Sequence, residues 1–295
     1  MIIVKLMGGL GNQMFQYAAA RHLSIIHKVP VKIDISFLQT DPKGAYSKRN
    51  FELNCFNIMG DFANEKETKS YLKIKQSRIS RNLNERFPFL FNKFHGKEKG
   101  HGYDECFIKF PVNTYLDGFW QSEKYFKPIE NILRREFTFK TPLSGINFQI
   151  AQNINECESI GIHIRRTDYI INSQVLNFHG ICDLNYYQEA INIISQKTSH
   201  PHLFVFSDDP EWVKTNFKTN LPLVCVDHNS ISDKGSEDMR LMSLCKHQII
   251  ANSSFSWWAA WLNINQNKIV VAPSKWFNEP SVDSKDIIPK EWIKI

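Results

Sequence analysis

The chain has 295 residues, too many for one small core and too few for three domains, so two modest domains are expected. Hydrophobic residues make up 42% and aromatic residues 13%, which is enough for packed cores and excludes a disordered chain. The formal charge of +6 is spread along the sequence; it suits an anionic ligand, but no nucleic-acid recognition module accompanies it, and nucleic acid is not an expected partner.

No apolar run approaches the roughly 18–20 residues that span a bilayer, and the opening MIIVKLMGG is too short for a secretory leader, so a cytoplasmic protein is expected. Cys55, Cys106, Cys157, Cys182, Cys225 and Cys245 form no Cys-x-x-Cys pair. They are read as reduced, mostly buried thiols rather than a disulfide framework or a zinc site.

In chain order, Ile2 to Met7 is a β-rich start broken by Gly8, Gly9 and Gly11. Asn12 then opens a helix with Phe15, Ala18, Ala19, Leu23 and Ile26 at helical spacing, and Val31 to Asp34 is the next strand. Between Phe62 and Phe110 helices and loops are expected, with a Lys/Arg-rich stretch interleaved with Phe87, Phe89, Phe91 and Phe94 around Pro88. A solvated helical face explains that stretch; a peripheral contact with the inner membrane is the alternative it leaves open.

The second half alternates regularly. Strands are expected at Ile160–Ile164, Leu203–Phe206, Leu223–Val226, Gln248–Ala251 and Ile269–Ala272, with helices at Tyr186–Gln196, Pro210–Phe217, Glu237–Lys246 and Phe255–Asn263. Such alternation implies α/β architecture, a parallel sheet covered by helices on both faces. Domains are therefore placed at 1–150 and 151–295, with a C-terminal return across the boundary left open.

Chemistry concentrates in a few segments. His163, Arg165, Arg166 and Asp168 follow the strand ending at Ile164, and ligands bind at the carboxyl ends of parallel strands. Paired guanidinium forks suit a diphosphate and the charge that grows on it as it departs. Asp168 or His163 could take the proton of an attacking hydroxyl; the plainer alternative is an Arg–Asp pair at a strand end. Asn252, Ser253, Ser254 and Ser256 precede or open a helix and could cradle a phosphate, or serve as an ordinary cap with Trp257, Trp258 and Trp261 filling core. Gly8, Gly9, Gly11, Asn12 and Gln13 permit close backbone approach to a ligand, although their G-G-x-G spacing is not the dinucleotide fingerprint. Ser207 and Asp208 could meet a ribose or base edge, while Asp209 before Pro210 caps a helix. Glu237 or Asp238 is a weaker ligand candidate. No Asp-x-Asp occurs and the ten histidines lack ligand spacing, so no metal and no cofactor is expected.

The segments GGLGNQMFQYAAARHL, HIRRTDY, FVFSDDPEW and LMSLCKHQIIANSSFSWWAAWL stand in this order along nearly the whole chain. Together they resemble glycosyltransferase family 11, whose bacterial members of this kind are galactoside α-1,2-fucosyltransferases. The resemblance implies a GT-B-like fold, two Rossmann-like lobes with a donor cleft between them, the first on the acceptor side and the second binding GDP-fucose. It also implies an inverting transfer from GDP-fucose to the 2-hydroxyl of a galactose-terminated glycan without a metal. The family's HxRRxD motif falls on His163, Arg165, Arg166 and Asp168, with Thr167 where many relatives have glycine. Arg165 would stabilise the departing GDP, Asp168 or His163 would be the base, and the glycine turn would face fucose or acceptor. A protein or core-glycan acceptor, or sugar-nucleotide binding without turnover, are the rival readings.

Overall fold

Ile2–Lys5 forms β1, the glycine turn after it starts α1 (Leu10–His27), and Val31–Asp34 returns as β2. Helix α1 stops at Lys28, which takes a left-handed φ of 53°, while the Val29 N–H closes on the Ser24 carbonyl at 3.0 Å. β3 (Asp61–Phe62), α2 (Glu65–Leu72), β4 (Phe94–Lys97), β5 (Thr114–Asp117) and α3 (Glu130–Glu136) follow. The strands form one parallel sheet in the order β3-β2-β1-β5-β4. β1 is central, and Ile2, Ile3 and Val4 are wholly buried, as a strand covered on both faces requires. A buried polar knot ties α1 to α3: Tyr17 Oη and Arg21 Nε donate to Glu136 at 2.6 and 2.9 Å.

The computed structural model describes residues 1–40, 48–72, 93–166, 173–229 and 235–295. This chain divides into two compact units, 1–140 with 285–287 and 141–284 with 288–295. The short return is fixed at Asp286, whose backbone carbonyl accepts from Ser122 Oγ at 2.7 Å and whose carboxylate accepts from Tyr103 N at 3.0 Å.

The second unit runs α4 (Gly145–Glu156), β6 (Glu158–Ile164), α5 (Ser173–His179), α6 (Leu184–Ser195), β7 (Pro201–Ser207) and α7 (Pro210–Asn216). It continues through β8 (Leu223–Val226), α8 (Gly235–Leu244), β9 (His247–Ile249), α9 (Ser254–Leu262), β10 (Val270–Ala272) and β11 (Ile293–Lys294). Its parallel sheet has the order β11-β10-β9-β6-β7-β8. The α/β architecture is the expected one, and the five strands and four helices anticipated in this half are present with ends shifted by at most two residues. β6 is covered on both faces. Ile160, Ile162 and Ile164 join Tyr187, Ile191 and Ile194 of α6 on one side, and Gly161 meets α8 on the other.

Three features depart from expectation. β3, β4 and β5 lie where helices and loops, or nothing, were expected; DF, FHGK and TYLD lack the Val and Ile that mark β1 and β2 as strands. Phe87, Pro88, Phe89 and Phe91 lie outside the described residues. None of the six cysteines is in a disulfide, yet only Cys245 is buried; Cys106 is exposed on the turn Glu105–Lys109 and the others are half-buried.

Gly161 packs tightly against the end of α8: an added Cβ would lie 3.1 Å from Cys245 Sγ and 3.2 Å from Met242 Cγ. Gly161→Val is expected to lower the unfolding free energy by about 1–3 kcal/mol through overpacking, measurable by urea denaturation.

Candidate functional site

In the second unit β6 carries the chain to Arg165 and Arg166 at the carboxyl edge of the sheet. Tyr187 Oη pins the strand end by donating to the His163 carbonyl at 3.0 Å. The next strand, β7, ends in Ser207-Asp208-Asp209 and braces the arginines from the side. Asp208 Oδ1 accepts from Arg166 N at 2.8 Å, and Asp208 Oδ2 lies 3.4 Å from Arg165 Nε. Asp209 Oδ1 caps α7 by accepting from Trp212 N at 3.2 Å, while its Oδ2 lies 3.6 Å from Arg166 Nε. The Arg166 guanidinium also sits 3.6 Å over the Trp212 ring, a cation–π contact that fixes its plane. Asp208, a candidate for a ribose or base edge, braces the arginine turn with both carboxylate oxygens. The Arg–Asp pairs of the plainer reading therefore exist, and both guanidinium groups are half-buried.

His163 lies beneath this turn, its ring centroid 5.1 Å from that of Phe255 at the start of α9. Burial, reinforced by the Arg165 charge, pushes its pKa down to about 3. Burial thus favours the neutral imidazole over the imidazolium. Asp168, the other expected base, and Thr167 lie outside the described residues.

The same His163–Phe255 contact brings the second motif beside the arginines. Ser253 caps α9 in an extended conformation without a side-chain cap bond. Asn252 Nδ2 donates to the carbonyls of His179 at 2.7 Å and of Gly180 and Trp276 at 3.3 Å. Ser256 Oγ points inward, donating to the Ser253 carbonyl at 3.3 Å. Asn252 and Ser256 therefore hold the turn, and Ser253, Ser254 and the first-turn N–H groups are its candidate donors to an anion. Trp257, Trp258 and Trp261 are buried core. Asp238 is buried, accepts from Asn229 Nδ2 at 2.8 Å, and has its carboxyl pushed up to about 7 by burial; Glu237 lies 3.7 Å from Arg240.

In the first unit the glycine turn is equally specific. Gly8 has φ 74°, and an added Cβ would come within 2.5 Å of Asn12 Nδ2. Gln13 Nε2 donates to the carbonyls of Gly8 at 2.9 Å and Asn50 at 2.8 Å, and Gln13 Oε1 accepts from Glu52 N at 3.0 Å. Gln13 is thus a clamp joining the turn to residues 50–52. Gly9 is more open: among the described residues, Glu52 and Arg49 are what a Cβ there would meet, at 3.8 and 4.0 Å. Gly11 is buried within α1. The carboxyl edge here also gathers charges no motif announced: Asp117 accepts from Lys5 and His95, each at 3.1 Å, which hold its carboxyl down at about 2 against the opposing effect of burial.

Among the described residues no cluster of three or more His, Cys, Asp or Glu side chains could hold a metal ion, and no helix is long and apolar enough to cross a membrane.

The profile of Glycosyl transferase family 11 matches residues 1–295. An α-1,2-colitosyltransferase of Escherichia coli is 34% identical, covering 100% of this chain and 98% of its own. The O-antigen biosynthesis glycosyltransferase WbnK of Escherichia coli is 37% identical over 92% of this chain and 93% of its own. A galactoside α-(1,2)-fucosyltransferase of Bos taurus is 27% identical over 50% of this chain and 43% of its own. Among solved structures, a mutant of Arabidopsis thaliana FUT1 in complex with GDP shares the fold, with a TM-score of 0.54 at 13% identity over 91% of this chain and 69% of that one.

Because His163 is held neutral from pH 5 upward, replacing it should not touch a limb of the pH–rate profile. His163→Gln is expected to shift any apparent pKa between pH 5 and 8 by less than about 0.3. Disappearance of a limb in that range would make His163 the base after all.

Proposed function

Since the chain belongs to glycosyltransferase family 11, we propose that it transfers a 6-deoxyhexose, fucose in the first instance, from its GDP-linked form to the 2-hydroxyl of a galactoside with inversion. One observation carries this reading: two arginines, braced by Asp208 and Asp209, stand at the carboxyl end of β6 beside the first turn of α9. That arrangement is built to receive a diphosphate.

In this mechanism the acceptor oxygen attacks the anomeric carbon while the bond from that carbon to the β-phosphate oxygen breaks. The electron pair leaves with GDP. Arg165 and Arg166 meet the charge growing on the β-phosphate, so they contribute more in the transition state than in the ground state. Ser253, Ser254 and the amides of α9 share that load, with Asn252 and Ser256 acting through the turn they fix. The acceptor's proton goes to Asp168 in this reading, because His163 is too weak a base. The second unit then holds GDP-fucose and the first serves the acceptor through Gly8, Gly9, Gly11, Asn12 and Gln13. No metal takes part, the arginines supplying the positive charge.

Colitose is the second reading for the donor sugar, favoured by the full-length similarity to the colitosyltransferase. It differs from fucose in lacking the 3-hydroxyl. A site built to bond that hydroxyl rejects the deoxy sugar by orders of magnitude, whereas a site without such a partner accepts both. Kinetics with GDP-fucose and GDP-colitose against a panel of galactosides, followed by linkage analysis of the product, decides the sugar and the bond. Consumption of neither donor with any galactoside would sink the proposal.

Arg165→Ala is expected to lower turnover roughly a hundredfold or more. GDP release measured with chelator present checks this, and near-normal turnover in the variant would refute the role given to Arg165. Loss of wild-type activity in EDTA with recovery in manganese would refute the metal-free mechanism.

A further inference from the structure

We infer that Glu98 is a positioning residue for the acceptor side of the reaction, holding the turn Gly118–Gln121 that in turn fixes the glycine turn after β1. This inference rests on the glycosyl-transfer reading above and names a residue to which no motif points.

β4 and β5 are neighbours, and both end at the same edge of the first sheet. Glu98 follows β4 directly, and its N–H donates to the Asp117 carbonyl at 3.1 Å. Its carboxylate then reaches over the residues that follow β5. Oε2 accepts from Phe119 N at 2.6 Å and Oε1 from Trp120 N at 2.8 Å. This bridge requires Gly118, since a Cβ there would collide with Cβ of Glu98. It also holds an unfavourable conformation: Trp120 has φ 56°, a left-handed value that bulky residues avoid. The indole is wholly buried against Phe107 and Tyr125, with ring centroids 5.4 and 5.3 Å away. The next residue carries the link onward, as Gln121 Nε2 donates to Asn12 Oδ1 at 2.7 Å. Asn12 in turn lies against Gly8. A continuous set of bonds and contacts therefore runs from Glu98 through the strained turn to the glycine turn.

Simple packing does not account for a carboxylate here. Burial pushes its pKa up to about 7 in spite of two N–H bonds that favour the ionised form. The folded chain then holds a proton that the unfolded chain releases, so stability falls as pH rises from about 4.5 towards 7. A group kept at that cost points to function. The charges nearby are accounted for: Asp117 on β5 is paired with Lys5 and His95, Tyr125 packs from the turn Glu123–Tyr125, and Lys97 and Lys99 on its own segment are exposed. Ionisation strengthens both N–H bonds, so the clamp tightens as pH rises through 7.

The test compares full-length wild type with Glu98→Gln and Gln121→Ala, the second cutting the link while leaving the carboxylate in place. Amide hydrogen exchange at residues 8–13 is expected to rise about tenfold in both variants, a readout that needs no substrate. With GDP-fucose saturating and lactose varied, the acceptor KM should rise about tenfold while the dissociation constant for GDP stays within about twofold. Wild-type kcat/KM for lactose should climb through pH 7, and that step should be missing in Glu98→Gln. Unchanged exchange at residues 8–13, an equal loss of GDP affinity, or a retained pH step would each overturn the inference. Should the wild type consume no GDP-sugar with lactose, the glycosyl-transfer reading fails by itself, and the exchange measurement still decides whether the clamp exists.

Discussion

Everything proposed for the donor site depends on one carboxylate. Asp208, at the end of β7, accepts from the backbone N–H of Arg166 and lies within ion-pair distance of the Arg165 guanidinium. A guanidinium on a free loop would lose side-chain entropy each time it met a phosphate. With the Arg166 backbone tied to a neighbouring strand and the Arg165 charge at ion-pair distance from Asp208, the pair meets the phosphate already oriented. The cost is partial neutralisation. Half-buried Arg–Asp pairs offset part of the positive field, so affinity for an anion has to come from fixed geometry rather than net charge, and from the first turn of α9 beside it. Seen this way the formal charge of +6 is nearly irrelevant to the site.

The parallel sheet makes that arrangement possible. Strands β6 and β7 run side by side in register from Glu158–Pro201 to Ile164–Ser207, so their carboxyl ends arrive together and the residues after them become neighbours without any local sequence signal. β9, on the other side of β6, delivers the serines of α9 to the same edge. Three segments separated by some forty residues or more are thereby placed together by backbone pairing alone. In the first sheet β1, β4 and β5 do the same for the glycine turn, Glu98 and Gly118.

This explains what could be seen in the sequence and what could not. The β/α alternation after residue 158 was legible because its strands are flanked by long amphipathic helices and bounded by clear caps, Asp209-Pro210 among them. HIRRTDY and NSSFSWW were legible because residue type and position at a strand end together suggest an anion site. The roles inside those motifs were not. Nothing in the spacing tells that Asn252 and Ser256 turn inward to bond carbonyls, that Asp208 is a brace, or that burial favours the neutral imidazole of His163; each of these depends on which face of the edge a residue occupies in the folded chain. The short strands β3 to β5 were illegible for a different reason: DF, FHGK and TYLD contain no Val or Ile, and they owe their conformation to neighbours far along the chain.

The ionisable groups show the same division between local chemistry and tertiary environment. Glu98 and Asp238 are ordinary acids by composition, yet burial lifts both to about 7, while Asp117, supported by Lys5 and His95, stays at about 2. Two carboxyls that prefer to be neutral make the folded chain bind more protons than the unfolded one between about pH 4 and 7, so their joint effect is to weaken the fold as pH rises across that window. Asp117 acts in the opposite sense, contributing stability above its unfolded value that is lost as pH falls towards 2. Residues selected for packing alone would not be expected to leave this pattern, because an amide in either position would avoid the penalty.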